Sequence, residues 1–170
     1  MTKVEFTIPY KGLSTGNHSF DFEIGKQFFE SFEYFEGIGG NLKAHVELLK
    51  EPSMMNFNIH LQGKVDLRCD RCLDYFEQSI EGDFILIVKF GETFEEESDE
   101  VVVLPITDNR IDLGQYFFEY INMLLPIQKV HPDKENGESA CDPKMIEWLN
   151  QYSEQKEDPR WEALKKLKLK

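Results

Sequence analysis

Two cysteines separated by two residues, Cys69 and Cys72, offer the clearest chemistry in this sequence. They lie in the segment LRCDRCLDYF, and the chain has one further cysteine, Cys141. This spacing allows two thiolates from one tight turn to bind a single tetrahedral Zn²⁺ ion. Thiol redox motifs use the same spacing, and two ordinary cysteines near the end of a strand are a third interpretation.

A complete zinc site needs two more ligands, and the loop VHPDKENGESAC contains two candidates. They are His131 and Cys141, which follow the clearest predicted helix of the chain. The resulting set is Cys69, Cys72, His131 and Cys141. Four protein ligands leave no open position for substrate or water, so zinc held by this set would be structural.

The redox alternative requires the first cysteine to lie at a helix N-terminus, where the helix dipole lowers the thiol pKa. Strand-like patterns lie on both sides of Cys69, which favours a hairpin turn instead. The other histidines lie in strand patterns or in a polar turn, and we expect them to be surface or hydrogen-bonded residues. They are His18, His45 and His60.

Hydrophobic periodicity predicts the elements that must position these residues. Apolar and polar residues alternate through much of the first hundred positions, as in Phe20, Phe22 and Ile24, which predicts successive antiparallel strands. An apolar stripe at helical spacing from Asp112 to Leu125 predicts a long amphipathic helix. We therefore predict an α+β fold. An antiparallel β-sheet from the N-terminal two-thirds packs with this helix and with a short helical C-terminal segment.

We predict one domain, 1–170, with three segments of distinct composition. Residues 92–100 form an acidic loop, residues 127–141 a polar loop, and residues 158–170 a basic C-terminal tail. A further helix is predicted to begin after Asp142, with Pro143 at its first position. Its apolar stripe is expected to be buried and consists of Met145, Trp148, Leu149 and Tyr152.

The charge balance limits the partners. Acidic residues outnumber basic ones by 32 to 19, giving a net charge of −13. Such a surface repels nucleic-acid and membrane phosphates, so RNA contact requires a local basic patch, or function requires a basic protein partner. We expect no signal peptide and no membrane span, because no apolar run has the required length and position. The expected protein is soluble and cytoplasmic.

The last twelve residues form the one basic stretch, with five basic residues against Glu162. One interpretation is an amphipathic helix that docks Trp161 and whose lysines complement the helix dipole. The other, compatible with it, is contact with RNA phosphates and bases. The candidate RNA- or partner-binding residues are Arg68, Arg71, Arg160, Trp161, Lys165, Lys166, Lys168 and Lys170.

Several of these motifs occur together in one known family. They are the CxRCL turn at 69–73, IDLGxY at 111–116, the Leu125-Pro126 pair, a histidine followed by a cysteine, and DPRWxALKKLK at 158–168. In this combination the chain resembles the YceD family of large ribosomal RNA subunit accumulation proteins. This chain departs from the family pattern in the segment from His131 to Cys141, which is long and contains one cysteine, Cys141, where many relatives have a cluster of cysteines.

The resemblance implies a cytoplasmic, non-enzymatic role in the accumulation or maturation of large-subunit ribosomal RNA. It also implies a possible partner, a small basic large-subunit ribosomal protein, because family members are often encoded beside one. No motif of a hydrolase, P-loop or dinucleotide site is found, so we expect a binding protein without a small-molecule substrate. Two alternatives remain: a thiol redox enzyme that uses Cys69 and Cys72, and a chaperone for a basic ribosomal protein without RNA contact.

Overall fold

The computed structural model describes residues 6–133, 137 and 139–153. These residues belong to two compact units. The sheet unit contains the described residues 6–68 and 75–129, and the cysteine unit contains 69–74 and those from Val130 onward. That the two units behave as the single domain expected for 1–170 stays a prediction.

The sheet unit has eight strands, a short 3₁₀ turn and two helices, and the third helix lies in the cysteine unit. The strands are β1 (Thr7–Ile8), β2 (Gly16–Ile24), β3 (Gly39–Lys50), β4 (Met54–Arg68), β5 (Tyr75–Gly91), β6 (Glu95–Ser98), β7 (Val101–Pro105) and β8 (Ile111–Asp112). The helices are α1 (Lys26–Phe29), α2 (Gly114–Leu124) and α3 (Pro143–Ser153), and the 3₁₀ turn is Tyr10–Gly12. This is the predicted α+β class.

Six strands form one sheet in the order β2-β3-β4-β5-β7-β6, and β1 pairs with β8 separately. Alternation along each strand determines which side chains are buried, because successive residues point to opposite faces. On β4, the side chains of Phe57, Ile59 and Leu61 are buried, while those of the residues between them lie on the outer face. The buried face is covered by α2, where Tyr120 stacks on Phe84 of β5 at a ring-centroid distance of 4.2 Å.

The sheet differs from the prediction in one pairing. Every neighbouring pair is antiparallel except β5 and β7, which run parallel, so the fully antiparallel prediction is wrong there. After β5 the chain reverses direction to form β6 at the edge of the sheet. It then reverses again, so that β7 runs between β6 and β5 in the same direction as β5. β6 also occupies part of the segment 92–100 that was expected to be a loop. Its backbone pairs with β7 while its side chains remain exposed to water.

The predicted long helix is shorter than expected. α2 contains eleven residues, the same number as α3, so the prediction of one long helix is wrong. Residues Ile111–Asp112 pair with β1 instead of starting the helix. Asp112 still contributes at the helix start, since its Oδ1 accepts a hydrogen bond from the Gly114 N–H at 2.9 Å. Within the described residues, no helix combines the length and apolar character needed to cross a bilayer.

The first test concerns Gly63, where β4 passes very close to β3. Gly63 has φ +151°, and a Cβ atom there would lie 2.6 Å from Leu42 Cα and even nearer to the Asn41 carbonyl oxygen. We expect Gly63→Ala to lower the free energy of unfolding by about 2–4 kcal/mol, because backbone atoms cannot move aside easily. Chemical denaturation followed by circular dichroism measures the change. Gly12→Ala is the control, because nothing lies within 4 Å of a Cβ atom there. Equal stability of the two variants would contradict the prediction.

Candidate metal centre

The turn Cys69–Asp74 connects β4 to β5, and their ladder ends at the pair Arg68–Tyr75. The Cys69 N–H donates to the Asp74 carbonyl oxygen at 2.8 Å, and the Leu73 N–H donates to the Cys69 carbonyl oxygen at 3.0 Å. Both cysteines are therefore held in a closed hairpin turn, as predicted. No helix begins at either cysteine.

The other two predicted ligands lie in the segment that leads to α3. Asp142 begins this helix, since its Oδ1 accepts a hydrogen bond from the Lys144 N–H at 3.0 Å. The Cys141 N–H is held by the Ser139 hydroxyl oxygen at 3.2 Å. Cys141 is buried and His131 is half-buried. Local hydrogen bonds therefore fix Cys141 directly before the start of α3.

The structure brings all four predicted ligands together. One ligand atom from each of the four residues lies within 4.8 Å of the others. The Sγ atoms of Cys69 and Cys141 are 3.8 Å apart. The Nδ1 atom of His131 lies 3.4 Å from Cys72 Sγ and 3.7 Å from Cys141 Sγ.

These separations match a tetrahedral metal ion. Zinc–sulfur bonds of about 2.3 Å at tetrahedral angles place two sulfur atoms about 3.8 Å apart. A zinc–nitrogen bond of about 2.0–2.1 Å likewise gives a nitrogen–sulfur separation of about 3.5 Å. The residues thus fit an ion held through three sulfur atoms and the Nδ1 atom of His131. A closed set of four protein ligands stabilises a fold and leaves no position for a reacting molecule.

Backbone donors shape the electrostatics of the cysteines. Burial raises the pKa of the Cys69 thiol, but N–H groups of Cys72, Arg71 and His131 outweigh it and bring this pKa down to about 6. Burial raises the pKa of Cys72, and this effect exceeds that of the Asp142 and Asp74 N–H donors. Donors directed at sulfur favour the thiolate form, which is the form that binds metal. Sequence reasoning missed these donors because they belong to the backbone and do not depend on residue type.

The remaining predicted residues fall into two groups. Arg68 and Arg71 are exposed, Arg68 at the end of β4 and Arg71 within the turn. The basic tail lies outside the described residues, together with Arg160, Trp161, Lys165, Lys166, Lys168 and Lys170.

The apolar stripe of α3 is a correction to the sequence prediction. Trp148, Leu149 and Tyr152 are exposed, by 62%, 45% and 65%. Their helical spacing is as expected, but the prediction that they are buried is wrong. Spacing shows that the residues share a helix face, and burial additionally requires a covering surface, which the described residues do not provide.

A second test concerns Leu73, the only non-glycine residue with positive φ in the described part of the chain, at 65°. β-Branched side chains tolerate this left-handed conformation poorly, whereas asparagine adopts it readily. We expect Leu73→Val to lower the free energy of unfolding by about 1–2 kcal/mol and to speed metal loss to a chelator. Leu73→Asn should change the stability by less than about 0.5 kcal/mol.

Leu49 provides the matched control, because it is also exposed but lies in the regular strand β3. Leu49→Val should leave stability and metal retention unchanged, since strands favour β-branched residues. If valine had the same effect at both positions, the strain at Leu73 would be disproved.

Comparison with known proteins gives one match. A family model described as large ribosomal RNA subunit accumulation protein YceD matches residues 57–168. Comparisons with curated proteins and with solved structures found no match. The matched region includes all four residues of the candidate metal centre as well as α2 and α3. Because the match covers more than half of the chain, this protein belongs to the YceD family of large ribosomal RNA subunit accumulation proteins.

Proposed function

We propose that this protein is a non-enzymatic, cytoplasmic factor that promotes accumulation of large-subunit ribosomal RNA by binding components of the pre-ribosome. The observation that supports this most strongly is the family match over residues 57–168. The metal centre lies inside that region and has the closed, four-ligand form typical of structural sites. The metal centre would maintain the fold of a binding surface.

The proposed ion is zinc. Three sulfur ligands and one imidazole at tetrahedral separations suit zinc better than magnesium or calcium, which prefer oxygen ligands. With three thiolates and neutral His131, a bound Zn²⁺ leaves the centre with one net negative charge. The geometry favours metal binding over the redox alternative, because Cys69 is on a hairpin turn beside three other metal-ligating side chains, and no helix begins at either cysteine of the pair.

Metal content is the direct test of the zinc proposal. Protein purified under reducing conditions should contain one zinc ion per chain by mass spectrometry. Cys72→Ser and His131→Ala should lose it, because a tetrahedral site is incomplete without either ligand. His18→Ala is the control, because His18 lies outside the four-ligand group. Its Nε2 atom forms a hydrogen bond with the Ser14 carbonyl oxygen at 2.8 Å. Zinc removal should also make residues 139–153 sensitive to proteases, because metal binding contributes directly to folding.

One outcome of the metal analysis would contradict the zinc proposal. A metal-free protein that forms a reversible Cys69–Cys72 disulfide without loss of stability would support the redox enzyme and contradict the structural zinc centre.

The proposed partners are large-subunit ribosomal RNA and a basic large-subunit ribosomal protein. The chain carries a net charge of −13, which favours a basic protein partner. Direct RNA contact is assigned to the basic tail, where five cationic side chains and Trp161 combine phosphate and base-stacking chemistry. Arg71 adds an exposed cation beside the metal ligands.

Ultraviolet crosslinking to large-subunit ribosomal RNA distinguishes the two partner types. Changing the tail lysines 165, 166, 168 and 170 to alanine should reduce crosslinking at least about tenfold, because each lost phosphate contact weakens binding. A control variant changes four exposed lysines of the sheet unit to alanine and alters the net charge equally. These are Lys26, Lys43, Lys64 and Lys89.

The control should retain crosslinking, in part because Lys64 and Lys89 already pair with Glu77 and Glu97. Equal loss in both variants would show that only total charge matters. If the unchanged protein copurifies with a basic ribosomal protein and crosslinks to no RNA, the chaperone alternative replaces direct RNA binding.

A further inference from the structure

A row of four titratable side chains crosses the outer face of the sheet. Asp21 on β2 lies opposite His45 on β3, His45 lies opposite His60 on β4, and His60 lies opposite Asp83 on β5. The row therefore takes one residue from each of four adjacent strands, in direct register. It belongs to the sheet unit and shares no residue with the cysteine centre.

Each histidine ring forms a hydrogen bond with the aspartate next to it in the row. His45 Nδ1 lies 2.7 Å from Asp21 Oδ1, and His60 Nδ1 lies 2.7 Å from Asp83 Oδ1. An ionised carboxylate only accepts hydrogen bonds, so Nδ1 carries the proton in both rings. In the neutral ring, Nε2 then carries the lone pair, and it is directed away from the aspartate. Protein histidines that bind metals are commonly oriented in this way, through a carboxylate on the second nitrogen.

A third donor lies beside the pair. Glu81 is two residues before Asp83 on the same face of β5, and its Oε1 lies 3.7 Å from His60 Nε2. A lone pair and a carboxylate oxygen do not attract each other at this distance, but one cation can bind both. Nitrogen and oxygen ligands of a tetrahedral zinc ion are separated by about 3.4 Å, since both bonds are about 2.0–2.2 Å long. The observed spacing is therefore close to that of a ligand pair.

We propose that His45, His60 and Glu81 form a second metal site, selective for divalent ions that prefer imidazole, such as Zn²⁺. Directly opposite residues on antiparallel strands have Cβ atoms about 4.5–5.5 Å apart, so rotation of the two side chains can bring both imidazoles to one ion. Asp21 and Asp83 are positioning residues that hold the rings in place through their Nδ1 atoms. Three protein ligands leave an open position for water, so this ion exchanges with solvent, unlike one in the closed cysteine centre.

The electrostatic setting favours a cation over an anion. Asp21 and Asp83 are each 85% exposed at the two ends of the row, and Glu81 is 71% exposed. Three carboxylates around two imidazoles repel phosphate and attract divalent ions. Two neutral imidazoles without these carboxylates would not favour a cation over an anion in this way.

Calorimetric titration of Zn²⁺ into full-length protein, with the cysteine centre already filled, tests the proposal. We expect a second equivalent to bind. His45→Ala and His60→Ala should weaken it more than about a hundredfold, because each removes a ligand. Asp21→Ala and Asp83→Ala should weaken it about tenfold to a hundredfold, because they remove only the orienting carboxylates. His18→Ala should leave binding of the second equivalent unchanged.

Nitrogen-15 NMR of the histidine rings gives an independent readout. Before zinc is added, both rings should show the proton on Nδ1, and zinc should shift the Nε2 resonances of His45 and His60 together. Failure to bind a second equivalent would overturn the proposal and leave the row as a surface hydrogen-bond network. Binding that survives both histidine substitutions would overturn it as well, because zinc would then occupy a different position.

Discussion

The convergence of three sulfur atoms and one ring nitrogen is the constraint on which the cysteine unit depends. All members of the described hydrophobic core cluster belong to the sheet unit. In the described part of the cysteine unit, the buried residues are Cys69, Cys72 and Cys141. A unit this small buries too little apolar surface to fold by that means alone. A metal ion bound by residues up to 72 positions apart would substitute for a core, because it would fix the turn and the segment before α3 at one point.

The sheet unit is stabilised by a different principle. Its strands bury alternate side chains against α2, and the pairing register determines which residues face water. The register that buries Ile59 on one face places His45 opposite His60 on the other. The core and the proposed surface site are therefore specified by the same pairing. A shift of one residue along β4 would remove both together.

Much of this arrangement follows from local sequence. Alternation predicted the strands, and the CxxC spacing with His131 and Cys141 predicted the four residues that converge. The parallel pairing of β5 and β7 was not predictable, because alternation is the same in parallel and antiparallel strands. The burial of α3 was also misjudged, since helical spacing identifies a shared face but not what covers it. Similarly, His45 and His60 each look unremarkable until the register places them side by side.

The acidic strand β6 has a consequence for how this protein behaves at high concentration. It is one of the two edge strands of the six-stranded sheet, and Glu95, Glu96 and Glu97 are all exposed along it. Edge strands are the places where sheets of separate molecules join and start to aggregate. Two copies that approached through β6 would bring several carboxylates together, and the repulsion would oppose their pairing. The acidic side chains of β6 therefore disfavour edge-to-edge pairing of two copies through this strand.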